Sequence, residues 1–139
     1  MKKLLSILLV IGFIVISGCN KSQTTAGPLT ISDCDVKESE ISKYICISEV
    51  AKLKIDETIC NNIEHKGKGI QDNCFMQVAI AKKDERICQK IKNNDLENKD
   101  QCLSAVAIQK NEKSICNKIE ITRIKTLCID KVTRLGGNI

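Results

Sequence analysis

The stretch that decides the fold is CFMQVAIAKKDERIC, residues 74–88, which begins and ends in cysteine. The chain carries two similar stretches, CISEVAKLKIDETIC at residues 46–60 and CLSAVAIQKNEKSIC at residues 102–116. Each continues to a matching isoleucine, and the three copies share both cysteines, a Val-Ala pair, one lysine and two isoleucines. This agreement indicates an internal repeat of 28 residues. A truncated copy begins at Cys128, and a half copy precedes the first around Cys34.

The apolar spacing within each copy predicts two short helices. Apolar residues at positions 74, 75, 78 and 79 fall on one face of a helix, which we expect to end at the lysine pair 82–83. Asp84 then has the position of an N-cap, since its carboxylate can accept from the free amides of a new first turn. Asp56 has the same position in the first copy, and Asn111 or Glu112 has it in the third. Alternating β-type patterns are nearly absent, so the chain is predicted to be all helical.

The cysteines predict structural disulfides. Nine cysteines in 139 residues suit an oxidising compartment, and no C-x-x-C motif or close Cys/His cluster suggests zinc or redox chemistry. Eight of them follow one another at intervals of 12 or 14 residues. One pairing joins the ends of each conserved stretch, 46–60, 74–88 and 102–116, and leaves two cysteines unpaired. The other uses all eight, and it is the one we favour: Cys34–Cys46, Cys60–Cys74, Cys88–Cys102 and Cys116–Cys128.

Geometry favours the second pairing because antiparallel helices around a short loop bring such cysteines within the ~5.5 Å Cα separation that a disulfide requires. Cross-links also suit the composition. The chain has no Trp, one Tyr and two Phe, so its core is mainly aliphatic, and burial alone leaves a domain of this size marginally stable. We therefore predict an all-α domain of short helical hairpin repeats with a 28-residue period. The repeats are expected to form a small solenoid-like array joined by consecutive disulfides.

The N-terminus predicts export. Two lysines precede an apolar segment at residues 4–16, which at roughly 20 Å of helix is short for a membrane span. The following ISGC, ending at Cys19, resembles the lipobox of prokaryotic lipoproteins. That resemblance implies cleavage before Cys19 and attachment of a diacylglycerol to its thiol; an ordinary secretory signal is the alternative. The paired-cysteine repeats also resemble those of uncharacterised prokaryotic surface proteins, a likeness that implies no particular function.

These features divide the chain into four parts. Residues 1–18 are predicted to be a signal peptide, and residues 19–31 the lipidated cysteine with a flexible polar tether. Residues 32–136 form the repeat domain, and residues 137–139 are a tail. The predicted location is therefore extracytoplasmic, anchored by lipid to the cell membrane, or to an outer membrane if the cell has one.

Motifs for catalysis are not apparent. The single histidine, His65, lies in a predicted loop, and the glycines around it lack the context of a phosphate-binding loop. We predict no catalytic residues, no metal site and no cofactor. The charges are interspersed, with a formal net charge of +5, and contain no basic run typical of a nucleic-acid partner.

One surface feature suggests recognition. The shared lysine, at Lys54, Lys82 and Lys110, would form a row in stacked repeats, and we call it the lysine ladder. It could bind an anionic wall polymer, lipid headgroups or an acidic protein; alternatively, it complements helix C-termini and keeps the surface soluble. The leading prediction is a non-enzymatic binding or interaction module on the membrane. A structural envelope component without a specific ligand and an inhibitor of a secreted enzyme are the alternatives, and the oligomeric state is open.

Overall fold

The computed structural model describes residues 29–63, 68–91 and 96–136, and this part of the chain is helical without β-strands. The all-α prediction is therefore confirmed for these residues. Three long helices of 15 residues each begin 28 residues apart, at Glu40, Lys68 and Leu96. The helices in chain order are α1 (Ser32–Asp35), α2 (Glu40–Lys54), the 3₁₀ helix η1 (Glu57–Asn62), α3 (Lys68–Lys82), the 3₁₀ helix η2 (Glu85–Lys90), α4 (Leu96–Lys110), α5 (Lys113–Cys116) and α6 (Thr122–Arg134).

Several predicted features lie outside the described residues: the signal peptide, Cys19, most of the tether, His65 and the tail at residues 137–139. Consecutive long helices pack on one another, α2 on α3, α3 on α4 and α4 on α6. This is the nearest-neighbour packing expected of repeats. The solenoid-like form of the array stays a prediction.

Each long helix ends in the same left-handed turn. Ile55, Lys83 and Asn111 follow α2, α3 and α4 with φ angles of 52°, 53° and 54°. In the first copy, the N–H of Asp56 donates across this turn to the carbonyl of Ala51 at 3.0 Å. The equivalent bonds recur in the other two copies at 3.0 and 2.9 Å. This is a Schellman turn, and it satisfies carbonyls that a helix end would otherwise leave without partners.

The residue after each left-handed turn starts the next short helix. Asp56 and Asp84 are N-caps as predicted, their carboxylates accepting from the backbone N–H two residues on at 2.9 and 3.0 Å. The N-cap predicted for the third copy, at Asn111 or Glu112, is wrong. Glu112 holds the N-cap position of α5 but makes no capping bond, and Asn111 is in the left-handed turn. The longer Glu112 side chain instead accepts from the Ser114 hydroxyl at 2.7 Å.

Four disulfides join consecutive helical regions, with the pairing that uses all eight cysteines. They are Cys34–Cys46, Cys60–Cys74, Cys88–Cys102 and Cys116–Cys128, with Cα separations of 5.5, 5.8, 5.7 and 5.7 Å. Each cross-link ties the short helical segment before a variable region to the long helix after it. The alternative that closes each conserved stretch on itself is therefore not the one adopted.

The disulfides lie within an aliphatic core. The shared valines (Val50, Val78 and Val106) and the alanines that follow them are fully buried. The shared isoleucines of the short helices are buried as well, and Tyr44 and Phe75 supply the aromatic contribution. All the apolar positions that the three copies share are therefore core positions, which explains why they match.

Candidate recognition surface

The lysine ladder lies at the C-terminal ends of the long helices, where two of its members reach back to the preceding repeat. Lys82 Nζ lies 2.9 Å from Glu57 Oε2, and Lys110 Nζ lies 3.4 Å from Glu85 Oε2. Because each pair spans 25 residues, it joins one repeat to the one before it. Both lysines are therefore engaged within the protein, in a role that the sequence did not reveal.

A second lysine in each repeat contacts the same glutamate. Lys90 approaches Glu57 Oε1 at 3.6 Å, and Lys118 approaches Glu85 Oε1 at 3.4 Å. Each glutamate is thus held between two lysines of the next repeat. Hydrogen bonding from Lys82 lowers the pKa of Glu57, whereas the pKa of Glu85 is lowered mainly by its own backbone amide and then by Lys110. Both glutamates also begin a 3₁₀ helix, where a negative charge is favourable.

The ladder changes at its two ends. Lys54 makes no ion pair with any acidic side chain in the described part of the chain, because residue 29, which would correspond to Glu57, is leucine. At the other end, Lys113 replaces the glutamate. Lys110 pairs additionally with Glu112 at 2.8 Å, and this contact is the main cause of its raised pKa. Sequence spacing could have identified the glutamates, since they recur three residues after the ladder lysine.

A shallow groove of about 450 Å³ opens beside the ladder between the second and third repeats. It is lined by four cations and two carboxylates: Lys82, Lys83, Asp84, Glu85, Arg86 and Lys110. Arg86 makes a two-point contact with Asp84, at 2.9 Å from Nε and 2.8 Å from one terminal nitrogen. Hydrogen bonding from Arg86 lowers the pKa of Asp84 to about 2. The groove therefore has a formal charge of +2 and presents the ends of Lys83 and Arg86 to solvent.

Buried polar side chains support the loops and were not identified from the sequence. Asp100, in α4, is fully buried, and its Oδ2 accepts from the backbone N–H groups of Glu120 at 3.0 Å and Ile121 at 2.7 Å. Asp72 is the equivalent residue one repeat earlier, and it is buried too. Gln71 donates to the carbonyls of Cys60 and Ile63, both at 3.1 Å. These contacts fix backbone geometry between helices and explain polar residues at otherwise apolar positions.

Within the described ranges, no group of three or more His, Cys, Asp or Glu side chains is placed to hold a metal ion. All eight cysteines from Cys34 to Cys128 are in disulfides and hold no free thiol. The helices that the structure describes include none long and apolar enough to cross a membrane. Comparisons with protein-family models, with curated proteins and with solved structures find no match for this chain.

Proposed function

We propose that this protein is an exported, lipid-anchored binding module whose helical repeats present a basic edge to an anionic ligand. The observation that carries the extracytoplasmic location is the set of four disulfides between consecutive helical regions. Such cross-links persist in oxidising compartments outside the cytoplasm. The lipobox-like ISGC at Cys19 adds the means of attachment.

We assign ligand binding to the basic edge of the groove, which consists of Lys82, Lys83, Arg86 and Lys110. Lys82 and Lys110 are held by glutamates of the preceding repeat, so they keep the edge in place rather than reach outward. Lys83 projects from the same edge, and Arg86, although it is paired with Asp84, keeps a side chain that is 86% exposed. Two outward cations on a cross-linked scaffold suit an extended anion, such as an envelope polymer with phosphate or carboxylate groups.

The anchor is tested by replacing Cys19 with alanine and fractionating the cells. We expect the wild-type protein to sediment with membranes and to carry a diacylglycerol on Cys19, detectable by mass spectrometry. The variant should lose the lipid. An unmodified Cys19 in the wild-type protein would contradict the anchor without affecting the binding surface.

Ligand binding is tested with polyphosphate and poly-glutamate as phosphate and carboxylate probes. Replacing Lys83 and Arg86 by alanine should weaken retention on both probes by about tenfold, roughly 0.7 kcal/mol for each exposed contact. The matched control replaces Lys125 and Lys131, two basic residues of α6, and should leave retention unchanged. Equal losses in the two double variants would indicate non-specific attraction by net charge and would overturn the assigned surface.

The lysine ladder is tested separately. In a triple variant, Lys54, Lys82 and Lys110 are each replaced by alanine. If these lysines serve mainly to hold the repeats together, the variant loses stability; if they bind the ligand, it loses retention on the probes. If neither double variant nor the triple variant alters retention, the protein has the character of a structural envelope component. A stoichiometric complex with one secreted enzyme would instead favour the inhibitor alternative.

A further inference from the structure

The first repeat differs from the second and third by four large aliphatic residues on its outer surface. Ile41, Ile45, Leu53 and Ile55 are between 46% and 67% exposed, and we call them the aliphatic stripe. Ile41 and Ile45 are one turn apart on α2, and Leu53 lies two turns beyond Ile45. The stripe therefore extends for about 18 Å along the helix at 1.5 Å per residue.

The other repeats act as an internal reference for this surface. The positions that correspond to the stripe are Gly69, Asn73, Ala81 and Lys83 in the second repeat, and Glu97, Gln101, Gln109 and Asn111 in the third. They are exposed in both repeats, except that Asn111 is half-buried. The array therefore packs nothing on this face, and small or polar residues are sufficient there. Folding of the second and third repeats therefore does not require aliphatic residues at these positions. The truncated copy at Cys128 carries Leu127 and Leu135 at the positions of Ile45 and Leu53.

Charge does not explain the stripe. Helix α2 carries two glutamates and three lysines, so its surface is close to neutral. A contact made through it would therefore depend mainly on the burial of apolar surface. An acidic or basic protein partner would call for a surface of one sign instead.

The position of the stripe relative to the N-terminus identifies what covers it. Leu29 follows Cys19 by only ten positions, a span that reaches about 35 Å at most when fully extended. The Cys34–Cys46 disulfide then holds the start of the domain against α2, with a Cα separation of 5.5 Å directly beside Ile45. A lipid on Cys19 would therefore keep the stripe close to the bilayer. At such a high effective concentration a few aliphatic side chains are sufficient for contact.

We propose that the aliphatic stripe is a membrane-contact surface, which lays the first repeat on the lipid. The inference rests on the proposed lipid anchor. It deepens the proposed function by giving the domain a fixed orientation. A second copy of the chain covering the same stripe is the competing outcome, which the experiment distinguishes.

The test uses the lipidated protein reconstituted into phosphatidylcholine vesicles and labelled with a membrane-impermeant amine reagent, with each lysine quantified by mass spectrometry. Lys52 lies seven residues after Ile45, on the same side of α2, and reports the stripe; Lys131, in α6, is the reference. On vesicles we expect Lys52 to be labelled at least about fivefold more slowly than Lys131, the factor for a contacting orientation populated about 80% of the time. The protection should persist at about 0.5 M salt, because charge is not its source.

Variants assign the protection to the stripe. Replacing Ile41, Ile45 and Leu53 by glutamine, the type of residue that the third repeat carries there, should restore Lys52 labelling while the protein still floats with the vesicles. The matched control, Leu127→Gln with Leu135→Gln, removes exposed aliphatic residues from the end of the domain and should leave Lys52 protected.

Flotation with the vesicles tests the lipid anchor, and the labelling rate of Lys52 tests the membrane contact of the stripe. A protein that floats with Lys52 labelled as fast as Lys131 overturns the membrane contact alone, and a protein that does not float overturns the anchor. If Lys52 becomes protected without vesicles as the protein concentration rises, a second copy covers the stripe and the membrane assignment is wrong.

Discussion

Replacing Asp100 by alanine is expected to lower the free energy of unfolding by about 2–4 kcal/mol. Asp100 is fully buried in α4, and its Oδ2 accepts from the backbone N–H groups of Glu120 and Ile121 at 3.0 and 2.7 Å. Ile121 is the residue immediately before α6. The carboxylate therefore holds the N-terminus of one helix against the side of another, and its removal leaves two amides without their partner.

The magnitude follows from these contacts. Hydrogen bonds to a charged group contribute roughly 1.5–3 kcal/mol each, and the negative charge is also favourable at the N-terminus of a helix. The second oxygen, Oδ1, reduces this stabilisation, because it is buried without a hydrogen-bond partner among the described residues. Leaving a polar atom in that state costs about 1–3 kcal/mol, which lowers the net contribution to the stated range.

Urea denaturation of the oxidised protein, followed by far-ultraviolet circular dichroism, gives the change in free energy. Asp100→Asn keeps one acceptor but removes the charge, and it should lie between the wild-type protein and the alanine variant. The control is Asp130→Ala, which removes a carboxylate that pairs with Arg134 at 3.0 Å on the exposed face of α6. It should cost about 0.3–0.5 kcal/mol.

Hydrogen exchange makes the test local. The amides of Glu120 and Ile121 should exchange faster in the Asp100→Ala variant than those of the α4 core, because the capping bonds are specific to that junction. If Asp100→Ala destabilises the protein no more than Asp130→Ala does, or if the two amides keep their protection, the proposed role of the buried carboxylate is wrong.

Three further predictions concern the cross-links, the left-handed turns and acid. Replacing Cys88 and Cys102 by alanine opens a loop with a sequence separation of 14 and should lower the free energy of unfolding, measured in urea, by about 3 kcal/mol. Full reduction of the four disulfides should unfold the domain. Unchanged protease resistance in reductant would contradict both expectations. Lys83→Gly should stabilise the protein by about 0.5–1 kcal/mol because its φ is 53°, whereas Ala81→Gly, inside α3, should destabilise it by about 1 kcal/mol; equal signs would refute the turn assignment. Arg86 lowers the pKa of Asp84 to about 2, so the ion pair contributes stability above about pH 4, and this contribution is lost as the pH falls from about 4 to 2. Solvent screening limits the contribution to below about 1 kcal/mol. In the Asp84→Asn variant, the free energy of unfolding should therefore depend less on pH over that range.

Periodicity made the architecture predictable from the sequence. The regular cysteine spacing, with one shorter interval at each end, identified the pairing that uses all eight residues, and apolar spacing located the long helices. Asp56 and Asp84 were identified as N-caps because a short carboxylate before an apolar run has few other local roles. Local sequence was sufficient for these features because local contacts determine them.

Features that depend on contacts between repeats could not be predicted in the same way. The lysine ladder was recognised as a row, but the pairing of Lys82 with Glu57 and of Lys110 with Glu85 depends on how successive repeats pack. The left-handed turns were hidden because Ile55 is β-branched, and such residues rarely adopt positive φ. Asp100 is another case, since nothing in its own helix distinguishes it from a solvent-exposed acid.

The positions at which the repeats agree bear on where function lies. The shared cysteines form disulfides, the shared valine, alanine and isoleucines are buried, and Lys82 and Lys110 of the shared lysine bind the preceding repeat. Nearly all of the repeated pattern therefore has a structural explanation within the array. We therefore expect a specific activity to depend mainly on exposed positions where the copies differ. The aliphatic stripe of the first repeat and the outward cations Lys83 and Arg86 of the second are two such departures, and they lie in different repeats. The proposed function assigns the first of these departures to the membrane and the second to the ligand.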